Sequence, residues 1–322
     1  MPVSLLLLLI AVDIRAILKL GPLALAMFFI GSLGMVLGAM ISFLIFKRFV
    51  GVDFAYGFGA LSASWTGGSA NMIAVKEAMS IPENIFTPMV VVDTIVPYVW
   101  MAAIVAVVRL QKKLDAFNNA DRKILDDLAS RISTVNVEKK VKMDPIKVFL
   151  IIAFGLLGSF LVGKVAQHLP EVKGIVSTYA WAIILVTFLG IGLSLTSCRR
   201  LEQYGSTQIG YYFLYFVLTA IGAKASLTHI QSGLLLIAAG FVMVVIHGIV
   251  MIVATRAIKV PMFLTVTASQ ANIGGVASAP VVAEIYQPGF SCVGLLLAIL
   301  GNIVGTYIGI VTAGLCQWVG KM

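Results

Sequence analysis

Charge is scarce in this chain. Of 322 residues only 11% are Asp, Glu, Lys or Arg, whereas 60% are hydrophobic and the mean hydropathy is +1.03. A soluble domain carries about a quarter charged residues, so too few polar side chains are present here to clothe a water-facing surface. Cysteine is scarce too: Cys198, Cys292 and Cys316 lie far apart, each in or beside an apolar run. That spacing speaks against a disulfide framework and reads as packed, structural thiols. No P-loop, dinucleotide fingerprint or metal-ligand spacing occurs, so no cofactor is expected, and the composition argues against disorder and nucleic-acid binding. The formal charge of +9 reads as membrane topology rather than as a patch for an acidic partner. What is present instead is a series of long apolar runs, which makes the chain an all-α polytopic membrane protein.

A spanning helix needs about 20 apolar residues. Seven runs meet that length without interruption: 22–46, 86–109, 146–167, 176–197, 207–227, 232–257 and 290–318. Two more, 53–78 and 261–286, are long enough but carry Gly-rich polar stretches at their centres. A tenth, 2–18, is apolar only as far as Val12 and is too short to cross as a helix. The expectation is therefore about ten transmembrane segments, with the chain starting part-way through an element and helices upstream of it. The hydrophilic stretch 110–145 is a linker between a first membrane repeat (1–109) and a second membrane half (146–322, with its own repeat at 207–318). Within the linker, Asp121–Arg131 has apolar residues at helical spacing and predicts a short surface helix. If each segment crosses once, seventeen of the 23 Lys and Arg share a side with the linker and the C-terminus. Positive charge favours the cytoplasm, so that count puts both on the cytoplasmic side.

The two interrupted segments resemble each other. Gly67–Glu77 aligns without a gap on Gly274–Glu284, with five of eleven positions identical. Ala11–Leu18 lies over Ala220–Leu227 in the same order, and Ile95-Val96 over Ile303-Val304, which points to an internal duplication. Glycine weakens a helix, and unwound backbone at membrane depth persists only where protein buries it or a watery cavity receives it. Once unwound, it offers carbonyls and helix ends to a ligand. A pair of such interruptions at corresponding positions points to the binding site of a secondary transporter. Thr66, Gly67, Gly68, Ser69 and Asn71 in the first break, with Ser269, Gln270, Asn272, Gly274, Gly275 and Ser278 in the second, are the candidate ion- and substrate-binding residues.

Asp93 sits in the apolar run Val90–Val96, where a carboxylate must face a cavity, a partner or an ion. Its counterpart in the repeat is Gly301-Asn302, which adds Asn302 to the candidates. Asn71, Asp93, Gln270 and Asn272 are the candidate Na⁺ ligands. Glu77 and Glu284 end the interrupted helices and read as gating or solvated residues, and His247 as a packed neutral histidine. A serine nucleophile at Ser69 with His247 as base would leave the duplicated Asn- and Gln-bearing element without a purpose, so no enzyme is expected.

The segments Ser64–Ala78, Val92-Asp93-Thr94, Leu218–Gly222 and Ser269–Gly275 carry a likeness to a known family. The chain resembles, over essentially its whole length, the bacterial and plastid membrane family filed as domain of unknown function eight-nineteen. That family is similar in motif layout to the cation/proton antiporter and bile-acid transporter group. The resemblance implies two inverted repeats, each with a discontinuous helix, a core moving against a panel, and Na⁺ or H⁺ as the coupling ion. Counted as single crossings, however, the two repeats start at segments one and seven, an even offset that makes them parallel. The expected function is an ion-coupled secondary transporter of a small organic solute by alternating access. A cation/proton antiporter without organic substrate and a non-transporting membrane scaffold are the alternatives. The expected partners are a small solute and the bilayer, with a homodimer left open.

Overall fold

The computed structural model describes residues 1–121, 123–132, 144–170, 178–222 and 230–321. In chain order the helices are α1 (Pro2–Ile10), α2 (Ile14–Lys19), α3 (Gly21–Val50), α4 (Phe54–Gly67), α5 (Ser69–Ala78), α6 (Glu83–Ala106), α7 (Gln111–Phe117), α8 (Lys123–Ile132), α9 (Pro145–Ala166), α10 (Thr178–Ser194), α11 (Ser206–Gly222), α12 (Ile230–Ile258), α13 (Met262–Ile273), α14 (Gly275–Tyr286) and α15 (Ser291–Gly320). The described residues contain no strand. Starts and stops follow local chemistry. Proline opens α1, α3 and α9 where no backbone donor is needed, and Asp144 caps α9 by accepting from the Ile146 and Lys147 amides.

Among the described residues five helices are long and apolar enough to cross a bilayer: Gly21–Val50, Glu83–Phe117, Pro145–Ala166, Gly233–Ile258 and Ser291–Gly320. A sixth is added if Trp181–Ser194 and Ser197–Tyr204, bent by 93° to each other, form one broken span. The expected segment 207–227 is helical as far as Gly222, and its last five residues lie outside the described set, as do 133–143 of the linker.

The chain forms two compact, discontinuous units. One comprises Met1–Ile14, Ile73–Glu83 and Asn136–Ser226. Its centre is the short α1, whose Leu5, Leu6, Leu7, Leu9 and Ile10 are at most 3% exposed. A nine-residue helix is only about 13 Å long, too short for a bilayer, and protein takes the place of lipid around it. Gly155 and Gly158 of α9, Gly190 of α10 and Gly210 of α11 lie directly against its leucines and Val3. Asp13, just after α1, is ion-paired with Arg199. Phe149, Leu150, Leu156, Leu157 and Phe160 remain exposed on α9, an apolar surface that only lipid or another protein face would cover.

The other unit comprises Arg15–Met72, Asn84–Val135 and Leu227–Met322. Its contacts establish the sense of each helix. The long α3 and α12 are antiparallel: Gly34 meets His247, Gly38 meets Met243, and the Ser42 hydroxyl donates to the Ala239 carbonyl at 2.7 Å. In contrast, α15 runs with α3, placing Gly301 at Phe28 and Val319 at Lys47, whose ammonium donates to the Val319 carbonyl at 3.1 Å. Against α15, α4 is antiparallel: Gly59 meets Ala313, Thr312 bonds Ser62 at 3.3 Å, and Gly301 meets the Thr66 carbonyl. Yet α6 begins back where α4 began, with Ile85 and Met89 on Gly57. Between Gly67 and Ile85 the chain has therefore doubled back.

The second interrupted segment does the same from the opposite end. Helix α13 starts at Asp115 with Met262, passes Trp100 with Ser269 and reaches Phe28 with Asn272. By Phe290, whose ring is 5.2 Å from that of Phe263, the chain is back at its starting level. Neither 53–78 nor 261–286 is a single crossing, so the expectation of ten single crossings fails here. The reversals sit at Gly68 (φ +81°) and Gly275 (φ +60°), left-handed conformations that side chains disfavour. A second correction follows. Asp121, Lys123, Ile124, Asp127 and Leu128 lie at the start of α3, whereas Val319 lies at its end. Thirty helical residues, about 45 Å, thus separate the linker from the C-terminus, and the two are not on one side as the crossing count implied.

Candidate functional site

The two reversals meet at one level of this unit. Gly67 and Thr66, ending α4, press on the backbone of Gly301. Asn272, ending α13, donates to the Phe28 carbonyl at 3.1 Å, and the Phe28 ring lies where a side chain on Gly301 would begin. Glycine at 301 is what admits the Thr66 carbonyl, because a Cβ there would overlap its oxygen.

Each asparagine is a clamp. The Asn71 amide donates to the Gly67 carbonyl at 2.5 Å and to the Asn302 carbonyl at 3.3 Å, while its oxygen accepts from the Thr306 amide at 3.0 Å and the Thr306 hydroxyl at 2.5 Å. The Asn302 carbonyl and the Thr306 N–H are the two groups an α-helix ordinarily joins to each other. The Asn71 side chain therefore bonds both groups of one turn of α15, much as a neighbouring peptide group would. Asn272 is equally saturated: it donates to Phe28 and Ala268 and accepts from the Ser32 hydroxyl at 2.8 Å. Asn71, Asp93, Gln270 and Asn272, read together from the sequence as sodium ligands, share no hydrogen-bond partner in this arrangement.

Unfilled capacity lies elsewhere around the tips. Gln270 is 1% exposed; its amide nitrogen donates to Ser278 at 2.7 Å, and its oxygen has no partner. The hydroxyls of Thr66 and Thr267 are likewise buried and unpaired. Buried polar atoms of this kind are rare in proteins and call for an explanation. Thr267 and Gln270 are three residues apart on α13, one face of the helix. The Asp93 carboxyl, partly exposed, faces Ser64 and Trp65 at the end of α4. Ser69, Ser278 and Asn302 are half-buried, and Asn302 is the nearest side chain to Gly68. Ser269 joins a different group: it meets Nε2 of the fully buried His247 at 2.9 Å and accepts from the Trp100 indole at 3.1 Å, while His247 Nδ1 faces the Gly31 carbonyl at 2.9 Å. Among the described residues no cluster of three His, Cys, Asp or Glu side chains could hold a metal ion.

Thr267, Thr306, Ser32 and Trp100 were not legible as site residues. A threonine in an apolar run carries no signal of its own, and only the Asn302–Thr306 spacing of one helical turn hints at a shared role.

Over residues 1–319 the chain matches the family profile described as Protein of unknown function (DUF819). The chain belongs to the DUF819 family. This bears out the likeness carried by the two Gly-Gly segments. The Bacillus subtilis (strain 168) relative titled Uncharacterized membrane protein YjcL is 24% identical over 326 residues, spanning 96% of this chain and 80% of that protein. The long apolar helices of this chain agree with the membrane assignment in that relative's title, and the chain is a membrane protein.

Proposed function

We propose that this protein is an ion-coupled secondary transporter of a small organic solute, working by alternating access about the two reversals. The observation that carries the reading is the meeting of two oppositely directed helical hairpins at tips rich in buried oxygens without partners. In this reading α3, the α4–α5 hairpin and α6 form one repeat, and α12, the α13–α14 hairpin and α15 the other. The senses of α3 and α12 oppose each other, which supports an inverted relationship; the even offset arose from counting each hairpin as a crossing. Thr66, Thr267 and Gln270 supply neutral oxygens, the donor type suited to Na⁺, and Asp93 supplies the charge. Lys19, Arg109, Lys112, Lys113, Lys123, Arg256 and Lys259 gather at the linker end against Lys47, Arg48 and Lys321 at the other, favouring a cytoplasmic linker.

The test is a thermal-shift series on the purified protein over Na⁺, Li⁺, pH and a metabolite panel, since a ligand that binds only the folded state raises its melting temperature. Asp93→Asn and Gln270→Leu are expected to fold and insert yet to lose any Na⁺-dependent rise. A melting temperature indifferent to both ions and to pH would favour the non-transporting scaffold. Asp93 in an apolar helix also suits cation/proton exchange without a solute, which Na⁺-driven pH change in proteoliposomes would reveal.

A further inference from the structure

The base of the second hairpin is held by the linker. Helix α13 begins after Pro261, which has no side-chain acceptor to cap the free N–H groups of the first turn. Asp115, from α7 and 147 residues away in sequence, supplies it: the Met262 N–H donates to its carboxylate at 2.7 Å. Three further contacts bind the same stretch. The Asp121 N–H donates to the carbonyl of Lys259 at 3.0 Å, in the turn where Lys259 adopts φ +58°. The Arg256 guanidinium donates to the Phe117 carbonyl at 2.7 Å and lies 4.4 Å from the centre of its ring. The Asn118 amide rests on the Met262 sulfur at 3.8 Å.

Beyond these contacts, α8 lies across the start of α3 but does not seal it. A cavity of about 270 Å³ stays open between Leu20–Ala24, Leu264 and the α8 residues Lys123, Ile124, Asp127 and Leu128. A linker that merely joined two halves would need none of these contacts.

We propose that residues 111–121 and 123–128 are a latch that holds the α13–α14 hairpin down at the linker end, and that its release opens this face of the unit. The contacts are few, polar and placed at the hairpin's base, so a small change at the linker frees a whole helical hairpin. Arg256 and Asp115 are the two charged fasteners, so a competing charge or a modification of the linker would act on them directly. The latch regulates the site proposed above and in that respect rests on the transporter reading. Its own existence is read from the motion of the hairpin, not from uptake.

The experiment is hydrogen–deuterium exchange by mass spectrometry on the full chain in detergent, comparing the parent with Asp115→Ala, Arg256→Ala and Asp115→Asn. Loss of a helix cap corresponds to about fivefold in an opening equilibrium. Exchange is expected to quicken by at least that factor in both alanine variants across Met262–Tyr286, tip and second helix included. Asp115→Asn keeps an acceptor oxygen and should exchange as the parent does. Quickening confined to 262–265 would reveal an ordinary helix cap and overturn the latch, as would unchanged exchange in both alanine variants. Should Asp115→Ala fail to yield a monodisperse protein, Arg256→Ala carries the same test from the other fastener. A latch that fails while Na⁺ still stabilises the protein would leave the transporter reading standing, and the converse result would leave the latch.

Discussion

Replacing Asn71 by alanine removes four hydrogen bonds at once. Two of them, to the Asn302 carbonyl and from the Thr306 amide, reach the backbone of one turn of α15. The other two join the Gly67 carbonyl and the Thr306 hydroxyl. At about 1 kcal/mol for each buried bond, the upper estimate is about 4 kcal/mol. The lower estimate lets the Thr306 N–H and the Asn302 carbonyl, one turn apart in α15, satisfy each other. Only the Gly67 carbonyl and the Thr306 hydroxyl then lose partners, leaving about 2 kcal/mol. Asn71→Ala should therefore destabilise the protein by about 2–4 kcal/mol. Asn71→Asp should be worse above neutral pH, since a carboxylate accepts from Thr306 but faces two carbonyls without a proton to offer. The assay is reversible unfolding by SDS titration in mixed micelles, followed by far-UV circular dichroism. A loss within about 0.5 kcal/mol for the alanine variant, the range of an ordinary surface change, would refute the clamp.

Gly301→Ala drives a methyl into the Thr66 carbonyl and should cost about 1–3 kcal/mol in the same titration, whereas Gly163→Ala, with open space at its Cβ, should be neutral or stabilising by up to about 1 kcal/mol. His247→Ala leaves a hole and strips partners from Ser269 and Gly31, so it should lower stability by about 2–4 kcal/mol, with Ser269→Ala losing less. Arg199→Ala breaks the pair with Asp13, but both side chains are about a third exposed and solvent screens them; a loss under about 1 kcal/mol is expected, shrinking further with added salt.

The helices were legible because spanning length is a crude quantity that hydropathy measures well. The run 146–167 became Pro145–Ala166, 290–318 became Ser291–Gly320, and the surface helix read at Asp121–Arg131 became Lys123–Ile132. The two breaks were legible for a sharper reason: adjacent glycines beside Asn and Gln have little use in an uninterrupted helix. What sequence could not carry was sense. A window of about 25 residues around a glycine pair fits one bent crossing or one hairpin equally well, and each choice flips every loop that follows. The misplacement of the C-terminus relative to the linker descends from that single ambiguity. The clamps were hidden for another reason. Asn71 and Thr306 are 235 positions apart, and Asn272 and Ser32 are 240, so nothing local links them.

Phe28 shows how much of the candidate site depends on residues with no chemical signature. It sits among the apolar residues of α3 and would pass as lipid-facing or core. Its ring lies near Gly301 of α15, the residue against which the Thr66 carbonyl packs, and its own carbonyl accepts from Asn272. One residue of α3 therefore touches the second reversal directly and reaches the first through Gly301. Buried contacts of this kind favour discrete arrangements over gradual ones, because close-packed interiors do not deform smoothly. On the transporter reading proposed above, Phe28 is thus a residue through which a change at one tip would reach the other without a charged relay.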